Sequence, residues 1–380
     1  MREIRIPVCS PEIGEKEVEY VAKCVRSGWI SSIGEYVTTF EKKFAGYCGC
    51  KFGVATNSGT TALHLALATL DVKEGDEVII PTFTMIATPN AVTYTGAKPV
   101  LVDAELYTWN MNVSKIPEKI TERTKVILPV HTYGHPVDMK PILEIAEQHD
   151  LYVIEDAAEA HGAEYSGKRT GSLGEVGCFS FYANKIITTG EGGMLVTNNE
   201  EIAEKARWLR SHAFGRHGKH FYHEAIGFNY RMSALQAAFG LAQLERIAEF
   251  VSKRRNNAKL YNSLLSELEG KVTLPPEAPW AKNVYWMYSV LIEENFGLSR
   301  NDLMEKLEQQ GIETRTFFYP IHLQPIYATQ FNPADYPVAD LLSKKGVNLP
   351  SGNNLTPSEI EQVCECIIKL AKPKKEVQTI

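Results

Sequence analysis

The lysine at position 185 stands in a setting that suits covalent chemistry. It lies in SFYANKIITTGEGG, residues 180–193, between an apolar stretch and a run of hydroxyls and glycines. A lysine partly removed from water has a lowered pKa and can form a Schiff base with a carbonyl group. Taken alone, Lys185 would still be interpreted as an ordinary surface residue.

An acidic residue precedes this lysine at the end of another apolar segment. Asp156 follows YVIE, the preceding four residues of a predicted strand. One interpretation is the N-cap of a following helix. The other is a carboxylate that holds a heterocyclic nitrogen protonated, because an opposite charge at close range favours the ionised pair.

The third feature is a loop that leads into an apolar helix, in NSGTTALHLAL. Ser58, Gly59 and Thr60 come where the helix begins, and a helix N-terminus with unpaired backbone N–H groups favours a phosphate. Simple helix capping is the alternative. The chain has neither the G-x-x-x-x-G-K-[ST] loop of nucleotide triphosphatases nor the G-x-G-x-x-G fingerprint of dinucleotide-binding domains.

The order of these features fits one cofactor, pyridoxal 5'-phosphate (PLP). PLP requires a phosphate cradle, an acid for its pyridine nitrogen and a lysine for its aldehyde. The loop at Ser58, then Asp156 and then Lys185 supply these in turn. Ser180, five residues before the lysine, is placed to offer its hydroxyl to the same phosphate.

These candidate residues can form one site only if a β-sheet brings the ends of their strands close to one another. Short apolar runs alternate with amphipathic stretches through the first half of the chain, which predicts a mostly parallel α/β sheet covered on both faces. The predicted strands are 52–56, 76–81, 99–103, 125–130, 151–156 and 176–182. Ligands of such sheets bind at the carboxyl ends of the strands, where the polar residues above are found.

The pattern of predicted strands and helices changes towards the C-terminus. Predicted strands at 286–294 and 312–320 alternate with predicted helices at 299–311 and 357–371, which is an α+β pattern. We expect a large α/β domain at 1–250, including an N-terminal helical segment, and a smaller α+β domain at 251–380. The connection would lie within a helical stretch, 232–268.

Composition excludes several classes of protein. The net charge of -6 and the pI near 6.0 argue against a nucleic-acid partner. The seven cysteines include two C-x-C pairs, which is not a zinc-ribbon spacing, so we expect reduced thiols and no metal. The chain has neither an apolar run long enough to span a membrane nor a signal-peptide core, which predicts a soluble cytoplasmic protein.

Several segments resemble the DegT/DnrJ/EryC1/StrS family of aminotransferases. They are NSGTTALHLAL, VIEDAAEAHGA, FSFYANKIITTGEGGM and GFNYRMSALQAAFGLAQLE, and the resemblance covers nearly the whole chain. It implies the fold-type I architecture, with a mostly parallel seven-stranded sheet, and PLP-dependent amination of a nucleotide-linked keto-sugar by L-glutamate. The closer similarity is to members that aminate C4 of GDP-4-keto-6-deoxy-D-mannose for O-antigen and lipopolysaccharide synthesis.

The resemblance also assigns roles to residues. Lys185 would bind the cofactor covalently, Asp156 would contact its pyridine nitrogen, and Glu159 would lie near its ring hydroxyl. Ser58, Gly59, Thr60 and Ser180 would hold the phosphate. Asn229 would reach the phosphate in the neighbouring subunit, which implies an obligate homodimer with shared sites. Met85 stands where an aromatic residue usually stacks on the ring, and a methionine can pack there through its sulfur.

The sugar contacts implied by the resemblance are Trp29, Ser31, Arg315, Tyr319 and His322. The alternative for Arg315 is a surface ion pair, and for His322 a packed loop histidine. Tyr319 replaces a histidine of the similar enzymes, which leaves the identity of the sugar open.

Other functions remain as alternatives at this point. One is a 4-aminotransferase for a UDP- or dTDP-linked 4-keto-6-deoxy sugar, since nothing in the sequence identifies the base. Another is a PLP-binding regulatory protein without turnover. A third, a nucleotide-sugar dehydratase of the Rossmann type, lacks its glycine fingerprint here. Relatives that deoxygenate the sugar carry histidine at position 185, so the lysine favours amino transfer.

Overall fold

A computed structural model describes residues 4–215 and 221–371 of the chain. The helices alternate with strands along most of it. They are α1 (Glu15–Ser27), α2 (Glu35–Cys48), α3 (Gly59–Thr69), α4 (Ala87–Tyr94), α5 (Met139–His149), α6 (Glu200–Arg210), α7 (Ala234–Glu245), α8 (Ile247–Leu265), α9 (Arg300–Gln309), α10 (Pro337–Lys345) and α11 (Pro357–Leu370).

The strands form two main sheets and a small third one. They are β1 (Phe52–Thr56), β2 (Glu77–Pro81), β3 (Lys98–Val102), β4 (Thr124–Ile127), β5 (Tyr152–Asp156), β6 (Glu164–Tyr165), β7 (Lys168–Arg169), β8 (Val176–Ser180), β9 (Gly193–Thr197), β10 (Val272–Thr273), β11 (Ala281–Lys282), β12 (Tyr288–Ile292), β13 (Arg315–Thr316) and β14 (Gly346–Leu349).

The central sheet has seven strands in the order β1-β9-β8-β5-β4-β2-β3. Only β9 runs against its two neighbours, and the other pairs are parallel. Strands β2, β8 and β9 are buried along their whole length, as expected for a sheet covered by helices on both faces. The predicted fold class, a mostly parallel α/β sheet, is confirmed.

Three apolar cores are found among the described residues, and the largest draws residues from both sides of the predicted domain boundary. This first core contains Phe40, Phe44 and Phe179, and a smaller one contains Ile79 and Ile127 of the central sheet. The second core is built from residues after 257 together with Ile6, and it packs β12 and β14 against α8, α9 and α11. Helix α8 contributes Phe250 to the first core and later residues to the second. The division at residue 250 stays a prediction.

The C-terminal elements depart most from the sequence-based expectations. The helical stretch 232–268 is divided at Arg246 into α7 and α8. The predicted strand 312–320 is reduced to Arg315–Thr316, which pairs with β14, and to a single bridge between Ile312 and Ile6. Strand β14 was not predicted, since GVNL is short and its flanking residues give no strand period.

Within the described residues, no helix is both long and apolar enough to cross a membrane. All seven cysteines fall in this part of the chain, and each is a free thiol. The same residues hold no cluster of three or more histidine, cysteine, aspartate or glutamate side chains in a metal-binding arrangement.

Candidate active site

A cavity of about 360 Å³ opens where strands of the central sheet end. Strand β5 ends at Asp156 and β8 at Ser180, while the residues after β1 and β2 complete the rim. The predicted residues in its lining are Ser58, Gly59, Thr60, Met85, Asp156, Glu159, Ser180, Lys185 and Arg315. The parallel strands explain this convergence, because their carboxyl ends meet at one edge of the sheet.

Lys185 lies at the floor of the cavity, in the loop that follows β8. Its Nζ atom is 3.7 Å from the ring centroid of Trp286 and 3.8 Å from Oε1 of Glu159. Burial lowers the pKa of Lys185, while the negative charges of Glu159 and Asp156 oppose that shift. The lowered pKa increases the share of neutral amine, which is the nucleophilic form.

The carboxylate of Asp156 is held by two hydrogen bonds. The Thr88 hydroxyl donates to Oδ2 at 2.8 Å, and the backbone N–H of Ala158 donates to Oδ1 at 3.1 Å. Burial raises the pKa of Asp156, and these hydrogen bonds together with the charge of Lys185 act against burial. A protonated ring nitrogen beside this carboxylate would stabilise its charged form further.

Glu159 connects the lysine to a second wall of the cavity. The backbone N–H of Tyr133 donates to its Oε2 at 2.7 Å, while Oε1 faces Lys185. Burial raises the pKa of Glu159 to about 7, against the opposing charge of Lys185. The side chain is therefore fixed where it can orient the lysine amine.

The rim opposite the lysine has the geometry of a phosphate cradle. Ser58 caps α3, and its Oγ accepts a hydrogen bond from the N–H of Thr61 at 3.2 Å. By helix geometry, the N–H groups of Gly59 and Thr60 have no acceptor within the helix. A Cβ atom at position 59 would lie 2.7 Å from the Cβ of Ser180, so only glycine allows this close approach of helix and strand.

These observations test whether PLP fits the site. A buried lysine, a buried carboxylate and a helix N-terminus facing a serine surround one cavity, and they match the aldehyde, ring nitrogen and phosphate of the cofactor. Asn184 also lines the cavity, and its buried Oδ1 has no hydrogen-bond partner among the described residues. The residues therefore fit PLP.

Met85 and Arg315 occupy the outer part of the cavity. Met85 is half exposed, and its stacking on the cofactor ring stays a prediction. The guanidinium of Arg315 lies 3.7 Å from Oε1 of Glu313 and is 42% exposed, so the cation remains accessible to an anionic ligand. Arg315 and Lys185 are the cations of the lining within the described residues.

Five predicted residues lie outside the cavity of their own chain, and the fifth, His322, is described in the next paragraph. Trp29 and Ser31 are in the exposed loop between α1 and α2, and the Ser31 carbonyl accepts from the N–H of Ala234. Tyr319 is 58% exposed. Asn229 is also exposed, and its Oδ1 accepts from Arg231 at 2.6 Å. Their assigned roles stay predictions.

His322 also lies outside the cavity of its own chain. Its side chain is fully buried, with Nδ1 2.7 Å from Oγ1 of Thr82 and Nε2 3.0 Å from Oδ1 of Asp340. Its ring also stacks on Tyr336. Both ring nitrogens are engaged within the protein, which favours the alternative of a packed loop histidine, and the sugar contact of His322 stays a prediction.

Sequence reasoning missed several cavity residues. They are Tyr133, Asn184, Trp286, Phe318 and Asn348 in the lining, and Thr88 behind it, which donates to Asp156. The sequence contained a signal for Thr88, because this residue comes after the end of strand β2, just as the predicted phosphate loop comes after the end of strand β1. Trp286 had none, because it lies 101 positions after Lys185 and only the fold brings them together.

Comparisons with known proteins agree with this geometry. Residues 11–368 match the model of the DegT/DnrJ/EryC1/StrS aminotransferase family. The chain is 46% identical to GDP-perosamine synthase of Caulobacter vibrioides, over 94% of this chain and 96% of that protein. It is 45% identical to GDP-perosamine synthase of Escherichia coli O157:H7, over 95% of this chain and 97% of that one.

A solved structure extends the similarity to the three-dimensional fold. The protein Spr1654 of Streptococcus pneumoniae, in its PLP form, superposes with a TM-score of 0.91 at 27% identity, over 96% of this chain and 98% of that one. The family match, the relatives and the site all point to the same chemistry. The chain therefore belongs to the DegT/DnrJ/EryC1/StrS aminotransferase family and is a PLP-dependent aminotransferase.

Proposed function

We propose that this enzyme transfers an amino group from L-glutamate to C4 of GDP-4-keto-6-deoxy-D-mannose, which gives GDP-perosamine. The observation that carries the amino transfer is the placement of Lys185 between Glu159 and Trp286 in the cavity that Asp156 lines. The similarity to two GDP-perosamine synthases over nearly the full chain supports the choice of sugar.

PLP, when bound, supplies an electron sink that stabilises negative charge at the donor's Cα atom. Lys185 would hold the cofactor covalently until the donor amine replaces it. Its freed amine is then positioned as the base that removes the proton from Cα of glutamate. In the second half of the reaction, the same amine would return a proton at C4 of the sugar.

Other residues would support the lysine without exchanging protons with the substrate. Asp156 would keep the ring nitrogen protonated, and Thr88 orients that carboxylate. The N–H groups at the start of α3 and the Ser180 hydroxyl would bind the phosphate. We propose that Arg315 binds an anionic group of the substrates, because its cation faces the cavity and is partly exposed.

The identity of the sugar nucleotide can be tested by direct competition. Purified enzyme loaded with PLP and glutamate should aminate GDP-4-keto-6-deoxymannose faster, in kcat/KM, than UDP- and dTDP-linked 4-keto-6-deoxy sugars by about 100-fold. Chromatography with mass detection identifies the aminated products. No turnover of the GDP sugar together with turnover of another nucleotide would overturn the proposed substrate and leave the aminotransferase chemistry intact.

We also propose a homodimer with shared active sites. The support is that Asn229 is exposed and lies outside the cavity of its own chain, although the resemblance places it at a cofactor phosphate. Free thiols and the absence of disulfides among the described residues are consistent with action in the cytoplasm, which we propose as the location.

Mixed dimers test the shared site. Lys185→Ala and Asn229→Ala homodimers should both lose activity, but a heterodimer of the two variants should recover it, because one of its sites then has both native residues. Activity should rise when the two variants are unfolded, mixed and refolded together. If each site is built from one chain, mixing will restore nothing; a fully active monomer would also contradict the proposal.

A further inference from the structure

Arg254 is a fully buried cation in the first half of α8. Its side chain is 2% exposed. The guanidinium donates to the side-chain oxygen of Asn353, to the carbonyls of Trp286 and Ser351, and to the sulfur of Cys9, at 2.6–3.5 Å. None of the four acceptors is a carboxylate. Burying a guanidinium costs free energy that a carboxylate would usually offset, so this arrangement needs a reason beyond stability.

One chain of hydrogen bonds from Arg254 leads to Ile186, the residue directly after the active-site lysine. Nε of Arg254 donates to Oδ1 of Asn353 at 2.7 Å. The Nδ2 of Asn353 in turn donates to the carbonyl of Ile186 at 3.1 Å. Asn353 is itself 5% exposed, so water does not compete for this connection. One amide therefore transmits the position of the guanidinium to the peptide that follows Lys185.

Two further chains of hydrogen bonds from Arg254 lead to the residue directly before the lysine. Nη1 of Arg254 fixes the carbonyl of Trp286 at 2.6 Å, and the indole N–H of the same tryptophan donates to the carbonyl of Asn184 at 2.8 Å. The Cys9 thiol accepts from Arg254 and donates to that same Asn184 carbonyl at 3.3 Å. The Trp286 ring is also the surface over which the lysine amine lies.

We propose that Arg254 is a positioning residue for Lys185: it fixes the carbonyls on both sides of the lysine and the indole beneath its amine. The inference rests on the proposed catalytic role of Lys185. The planar guanidinium suits this task, because its donors point in fixed directions, whereas a lysine ammonium would satisfy fewer acceptors. Proton transfer is sensitive to such placement, and a shift of about 1 Å can lower a rate by about 100-fold.

The test compares two neighbouring arginines on α8. Arg254→Met removes all four hydrogen bonds, whereas Arg255→Met removes bonds to Glu277 and to the carbonyl of Asn283, away from the lysine loop. The rate of the glutamate half-reaction should fall by about 100-fold in the first variant and stay near the wild-type value in the second. Glutamate deuterated at Cα should show a larger isotope effect in the first variant, because proton transfer has become slower.

A second readout needs no cofactor. In cofactor-free protein, the pH dependence of Lys185 acylation, followed by mass spectrometry, reports the pKa of its amine. In Arg254→Met this pKa should rise towards about 10.4, the ordinary lysine value, as the amine leaves its buried place. In Arg255→Met it should stay as in the wild type.

If Arg254→Met does not fold, two milder variants can still test whether Arg254 positions Lys185. Asn353→Ala and Arg254→Lys should each slow the half-reaction and shift the lysine profile in the same direction, by less. Unchanged rates and an unchanged profile in these variants, with native thermal unfolding, would overturn the inference. Failure of the wild type to react with glutamate would instead overturn the proposed function, and the cofactor-free profile would still decide whether Arg254 positions Lys185.

Discussion

Replacing Lys185 with alanine should lower the rate of both half-reactions by about 10,000-fold, at the upper end of what one acid–base group contributes. This single substitution removes both the residue that would bind the cofactor covalently and the base. Lys185→Arg should lose as much, because arginine keeps a cation over Trp286 but stays protonated. Absorbance changes on adding glutamate, and product formation with the keto-sugar, measure the two half-reactions.

The covalent role has its own measurement. Borohydride reduction of the PLP-loaded wild type should attach the cofactor to the peptide that contains Lys185, and the alanine variant should gain no such mass. Lys168→Ala is a matched control, since that lysine is exposed on β7. A Lys185→Ala enzyme that retains the wild-type rate would refute the mechanism.

Asp156→Asn is expected to have the second largest effect, a loss of about 100- to 1,000-fold in kcat. The amide has nearly the same shape as the carboxylate and can still accept from Thr88, but it has no charge with which to hold a ring nitrogen protonated. Binding of the cofactor should weaken less than turnover. Single-turnover absorbance with glutamate measures this loss.

Thr88→Val provides the control for Asp156. It removes the 2.8 Å hydrogen bond to the carboxylate but leaves its charge, so the loss in kcat should be well below that of Asp156→Asn. Both variants should unfold thermally as the wild type does if the effect is chemical. An Asp156→Asn enzyme with wild-type kcat would remove Asp156 from the mechanism.

Much of the central sheet was predictable, because most of its strands are short, largely apolar runs. The predicted strand 52–56 matches β1, and 151–156 differs from β5 by one residue. Parallel strands place such ends at one edge, so Asp156 and the Ser58 loop were expected near each other. Both line the cavity, as does Lys185.

The rest of the candidate site could not be predicted, because it depends on contacts between residues that are distant in the sequence. No local sequence pattern encodes such contacts. The indole of Trp286 lies under Lys185 only because the second half of the chain folds back over the sheet. His322 shows the opposite case, since its position in the sequence suggested a sugar contact, yet Thr82 and Asp340 engage both its nitrogens. A polar residue type alone does not distinguish a ligand contact from a buried hydrogen bond.

The residues that line the cavity come from distant parts of the sequence. The cavity is therefore completed late in synthesis on the ribosome. Lys185 is made long before Trp286 and Asn348, the residues that close the cavity around it. At ordinary elongation speeds, about 10–30 s separate the synthesis of positions 185 and 348. During that time the nascent lysine lacks its completed surroundings, so the full cavity can form only after position 348 has been made.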